Sequence, residues 1–217
     1  MFRGALVVLL VALAAPAHGE LNPNIDPAAF EQFQSGLKLF NKGETASAMG
    51  YFRKALKISP AFLEANYYMG ASYERQGKCE AAEPYLEKVV TLDGTFVSGL
   101  FLAAKCAYDL GNTNRSESLL KQALAQQEDN AKVLFLLGKI AGEKGKKKEE
   151  VDYYRRSVRE DPEFFEAYFN LGLALLELKK TDEAVDILQQ AAKVSRGRTD
   201  VLEQLAQALA GAGRVDQ

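Results

Sequence analysis

The amino-acid sequence predicts an all-α fold, an α-solenoid of stacked antiparallel helix pairs. Three observations point there. Small and apolar residues recur at a strict 34-residue interval. Within each interval the apolar residues fall at i, i+3, i+4 and i+7, the spacing of a one-sided helix. Glycine recurs midway through each interval and breaker residues recur near its end, where helices must stop. Composition agrees with a folded chain. Of 217 residues 47% are hydrophobic, and 27 Lys+Arg face 29 Asp+Glu. That balance supplies no global attraction to nucleic acid or anionic lipid.

The first element is an address. Arg3 is the only charge before Glu20, and every residue from Ala5 to Ala15 is Ala, Val or Leu. This run is too short to span a bilayer, which takes about 20 residues, and it fits a signal peptide. Ala15, Ala17 and Gly19 offer cleavage spacing. A cut after Gly19 is expected, so that 1–19 is a signal peptide and 20–28 a lead-in. An uncleaved signal anchor is the alternative. Export would place the mature chain in the periplasm, or outside the cell in a Gram-positive source, with no further membrane span. His18 is the sole histidine and leaves with this segment. Ser-His-Asp, Cys-His and His-ligated metal chemistry leave with it. Two cysteines are too few for a structural zinc site. No catalytic residue, metal or cofactor is expected.

Five full units follow, 29–62, 63–96, 97–130, 131–164 and 165–198. Residues 199–217 read as a capping helix A or a truncated sixth unit. Position 8 of the units is Gly36, Gly70, Ala104, Gly138, Gly172 and Ala206. Position 15 is Gly43, Gly77, Gly111, Gly145, Lys179 and Gly213. Position 20 is Ala48, Ala82, Ser116, Glu150 and Ala184, and position 24 is Phe52, Leu86, Leu120, Tyr154 and Leu188. Small residues at positions 8 and 20 let helices A and B of one hairpin approach closely. Glycine at position 15 supplies a left-handed cap to helix A. Pro60, Gly94, Glu128, Pro162 and Arg196, at position 32, end helix B. No hairpin buries its apolar stripe alone, so neighbours must stack.

These columns resemble the tetratricopeptide repeat family over residues 29–198, most closely in YMGASYERQGKCEAA and FNLGLALLELKKTDEA. The resemblance is to an exported bacterial member. It implies a right-handed superhelix that presents helix A on a concave face, chiefly through positions 2, 5, 9, 12 and 13. Units three and four depart most, at Ala107, Ala141 and Glu150, and looser packing is expected there. Position 5 is Phe33, Tyr67, Phe101, Phe135 and Phe169, with Phe30, Phe40 and Tyr108 on the same face. These rings read either as packing between adjacent A helices or as an apolar ladder for partner side chains. Lys105 and Lys139 at position 9, with Lys132 at position 2, make a mid-groove basic spot. It either holds a partner carboxylate or is ordinary solvated lysine. The Lys/Asn carboxylate clamp of chaperone-binding members is not expected, because position 5 is aromatic throughout and position 9 has no Asn.

Cys79 opens helix B of unit two and Cys106 lies near the end of helix A of unit three. In a stack those ends lie side by side. The pair can form a disulfide in an oxidising compartment or remain two small buried thiols. The run Lys144-Gly145-Lys146-Lys147-Lys148 falls at the turn of unit four, among Glu143, Glu149 and Glu150. It lacks the flanking strand of a P-loop and reads as a solvated loop, with an anion site as the alternative. The expected function is an extracytoplasmic interaction scaffold that binds a partner protein or peptide, of unknown identity, in an aromatic-lined groove. A structural or self-associating envelope spacer is the alternative. Enzyme activity is not expected, because Glu64, Glu74 and Glu166 have neither a metal set nor a paired role.

Overall fold

The computed structural model describes residues 25–213. The signal-peptide reading of 1–19 therefore falls outside the described residues. Eleven α-helices are described: α1 (Pro27–Asn41), α2 (Thr45–Ile58), α3 (Leu63–Glu74), α4 (Cys79–Leu92), α5 (Val97–Asp109), α6 (Thr113–Gln126), α7 (Ala131–Glu143), α8 (Lys147–Glu160), α9 (Phe165–Glu177), α10 (Thr181–Val194) and α11 (Thr199–Gly211). No strand occurs among the described residues. Odd-numbered helices are helix A of each pair and even-numbered helices are helix B. From α3 onward every A helix starts one 34-residue period after the last, and so does every B helix from α2.

Local chemistry sets these boundaries. Asp26 starts α1 two residues ahead of the period, accepting the Ala28 N–H at 2.8 Å, with Pro27 at the first helical position. A proline there forfeits only an N–H that would lack a helical partner anyway. Asn112 and Asn130 cap α6 and α7 in the same way. Each A helix before a B helix stops in a left-handed residue. Gly43, Gly77, Gly111 and Gly145 take it without strain, at φ between 69° and 83°. Lys179 takes the same turn at φ 58°, where an L side chain costs about 1–2 kcal/mol.

Packing within each hairpin turns on position 8. A Cβ on Gly36 would stand 2.6 Å from Phe52 Cε1, on Gly70 2.5 Å from Leu86 Cδ2, and on Gly172 2.7 Å from Leu188 Cδ2. On Gly138 it would stand 2.5 Å from Tyr154 Cε1. The position-24 side chain of helix B thus fills a notch in helix A. Unit three carries Ala104 and Leu120 at these positions, both fully buried.

The looseness expected of units three and four is seen at the boundary between them, where α6 and α7 make the thinnest contact of any successive helices. Ala107 and Ala141 are buried. Glu150 stands where other units have Ala or Ser, and Gly142 on α7 leaves room for it: a Cβ there would meet Glu150 Oε1 at 2.6 Å. Lys147 pairs with the Glu150 carboxylate at 2.9 Å. The core does change character here. One cluster of buried side chains runs from α1 to Ile140 on α7, a second centres on α8 and α9, and a third joins α10 to α11.

Two substitutions test this account. The Tyr154 ring is 2% exposed and is enclosed on every side. Gly138→Ala should therefore destabilise the chain by about 1–3 kcal/mol despite the better helix propensity of alanine. Its urea midpoint should fall, and an unchanged midpoint would dispose of the notch. Lys179→Gly should raise Tm by relieving the left-handed residue, a gain of up to about 1 kcal/mol.

Candidate functional site

The five position-5 rings lie on successive A helices, α1 to α9, and their burial differs. Phe33 is 6% exposed, with its ring 4.9 Å from Phe62 and 5.7 Å from Tyr68. It belongs to the core, which corrects the expectation that it lines an open groove: α3 and the turn before it close over the ring. Tyr67, Phe101, Phe135 and Phe169 are half-buried. Tyr67 packs 5.1 Å from Phe96, and Phe135 packs 4.9 Å from Phe164 and 5.7 Å from Tyr154. Phe169 stacks on Phe165 at 5.9 Å. Phe62, Phe96 and Phe164 all occupy position 34. They back Phe33, Tyr67 and Phe135 from the start of the next A helix. Sequence reading missed this column, although the 34-residue period exposes it to any search carried to the unit's last residue.

The charged residues are also engaged. Lys105 on α5 contacts Glu74 on α3 and lies 3.3 Å from Asp109. Burial opposes its charge, but the Glu74 hydrogen bond and the two nearby carboxylates outweigh it and raise its pKa. Lys139 sits over the Tyr108 ring, 4.8 Å from its centre. The Tyr108 hydroxyl donates to Glu143. Burial, then that carboxylate, pushes the Tyr108 pKa up. The expected basic spot is therefore an alternation of charge running through Glu74, Lys105, Asp109, Lys139 and Glu143. Lys132 and Glu166 are exposed and Glu64 is half-buried. Cys79 and Cys106 are brought together as buried free thiols.

The lysine run at the turn of unit four is a set of clamps between units. Lys144 bonds Asn114 at 3.0 Å and contacts Glu117, both on α6. Lys147 reaches Glu177 on α9 as well as Glu150. Lys146 pairs with Glu149 at 3.1 Å. These carboxylates engage three of the four lysines in the run, Lys144, Lys146 and Lys147. Hydrogen bonds from Lys121 and then Lys144 hold the Glu117 carboxyl at about 2, against its ordinary 4.5. Among the described residues no group of three or more His, Cys, Asp or Glu could hold a metal, and no helix is long and apolar enough to cross a membrane.

An all-α stack of repeated hairpins with one ring-bearing face defines a helical-repeat protein. Family models described as tetratricopeptide repeat match residues 33–62, 64–93, 101–163 and 153–186. The chain belongs to the tetratricopeptide repeat family. Members bind protein partners and are generally non-enzymatic scaffolds. No curated relative matches in sequence. Among solved structures, MamA is similar at 25% identity and TM-score 0.67, over 74% of this chain and 94% of that one. PilF of Pseudomonas aeruginosa is similar at 18% identity and TM-score 0.75, over 87% of each chain. YrrB, described as a TPR protein with an unusual peptide-binding site, is similar at 18% identity and TM-score 0.67, over 81% of this chain and 90% of that one. The last two likenesses concern the fold alone.

The clamp at Glu117 generates a pH prediction. Its pKa is depressed on folding, so its contribution is fully present above pH 4.5 and is lost as pH falls from there toward 2. Glu117→Gln should cost about 0.5–1 kcal/mol at pH 7, as for a partly exposed pair. That loss should shrink through the same window in urea titrations. An equal loss at every pH would mean that packing, and not charge, matters at this position.

Proposed function

We propose that the chain is an extracytoplasmic scaffold, exported by residues 1–19, that binds a partner protein or peptide on its A-helix face. The supporting observation is the ladder of Tyr67, Phe101, Phe135 and Phe169, four half-buried rings on successive A helices. Phe96 holds Tyr67 from behind, Phe164 holds Phe135, and Phe165 stacks on Phe169. Rings fixed before binding lose little conformational entropy when a partner arrives, which is what makes aromatic anchors effective. Lys105 and Lys139 set polarity along the ladder. Lys105 can exchange Glu74 for a partner carboxylate, and Lys139 offers its ammonium beside the Tyr108 ring. A peptide is the first partner class to test, because YrrB, of the same fold, is described as having a peptide-binding site.

Phe101→Ala is the most informative substitution, since the ring is only half-buried. A partner captured from an envelope fraction by the wild-type chain should bind this variant at least about tenfold more weakly. Far-UV circular dichroism should be unchanged. Undiminished affinity would remove the A-helix face from the account.

A further inference from the structure

We propose that Cys79 and Cys106 form a disulfide modification site that staples repeat two to repeat three, loaded by exchange with a disulfide-carrying oxidant. Cys79 is the first residue of α4 and Cys106 lies in the last turn of α5. The two helices pack against one another, and the start of one lies beside the end of the other. Both thiols are buried, at 5% and 3% exposure, and each lies close enough to the other to influence its ionisation. Cys79 Sγ also donates to Asp109 Oδ2 at 3.8 Å. A shallow cleft lined by Leu86, Ala103, Leu110 and Arg115 opens beside Cys106. The cysteines are 27 residues apart in sequence, so a bond between them would close a long loop, not a local turn.

The exchange balances without a metal or cofactor. One cysteine thiolate attacks a sulfur of the oxidant's disulfide, forming a mixed disulfide and expelling one oxidant thiolate. The second cysteine loses its proton and attacks the protein sulfur of that mixed disulfide, expelling the other oxidant thiolate. Two protein thiols are oxidised to one disulfide, one oxidant disulfide is reduced to two thiols, and the protons released by the cysteines pass to them. Burial raises the pKa of both thiols, that of Cys106 strongly. The folded reduced protein therefore holds little thiolate and exchanges slowly. Loading belongs to folding, or to a transient parting of the α4–α5 contact, and burial then shields the finished bond. The staple would lock the angle between the two repeats that carry Glu74, Lys105 and Tyr108.

The test is refolding of the full chain with oxidised glutathione, or with dithiothreitol, followed by intact-mass measurement and thiol titration in denaturant. The oxidised sample should weigh less by two hydrogens, show no titratable thiol and remain monomeric. Its Tm should exceed that of the reduced sample by roughly 6–12 °C. Cys79→Ser and Cys106→Ser, singly, should each abolish that difference. Two thiols that still titrate, a stable glutathione adduct, a disulfide-linked dimer, or a bond that fails to raise Tm would each overturn the staple. None of these measurements involves a partner, so they succeed or fail apart from the binding face.

Discussion

The structure depends on a glycine-sized notch in the A helices, filled by the position-24 side chain of the partner B helix. Glycine inside a helix costs about 1 kcal/mol relative to alanine, yet it stands there at Gly36, Gly70, Gly138 and Gly172, where any Cβ would collide with Phe52, Leu86, Tyr154 or Leu188. The gain is a short distance between the two helices of each hairpin. That distance lets Ala55, Val89, Ala123, Ser157 and Ala191, at position 27, be completely buried. Even the polar member of that column is satisfied, as the Ser157 hydroxyl donates to the Ala131 carbonyl at 2.8 Å. A hairpin that recurs with the same notch and the same buried column lets the units stack in series.

The ring-bearing face follows from that spacing. Position 5 points between adjacent A helices, so its rings serve both the core and the surface, and their neighbours decide the share of each. Phe33 meets Phe62, Phe52 and Tyr68 together and is lost to the core. Tyr67 and Phe135 meet one position-34 ring each and remain half-exposed. The packing and binding readings of this column are therefore not rivals. The inner half of each ring is fixed by packing, through aromatic contact at Tyr67, Phe135 and Phe169 and against the apolar core at Phe101, and that fixing prepares the outer half for a partner.

Unit four shows how far the pattern bends without breaking. A buried carboxylate would be costly at position 20 if it were merely inserted. Here Gly142 makes room and Lys147 supplies the charge, and the same lysine reaches on to Glu177 in the next unit. Lys144 ties the turn back to α6. The lysine run is thus a joint between units three, four and five, at the point where the core divides into separate clusters.

The sequence alone determined the helix starts, the left-handed turns and the stacking of hairpins. These follow from a period written along the chain: caps and turns are enforced by neighbours within one unit, and stacking by apolar stripes that no single unit can bury. It also placed five rings and two lysines at equivalent positions. Only the tertiary structure decided which of those side chains remain available. Phe33 is closed off by residues up to 35 positions away, and Lys105 finds Glu74 31 positions back. Cys79 and Cys106 become neighbours only when α4 and α5 pack. A repeat fixes which position a residue occupies. Burial and pairing depend on what the adjoining repeat carries at the contact, and that differs from unit to unit.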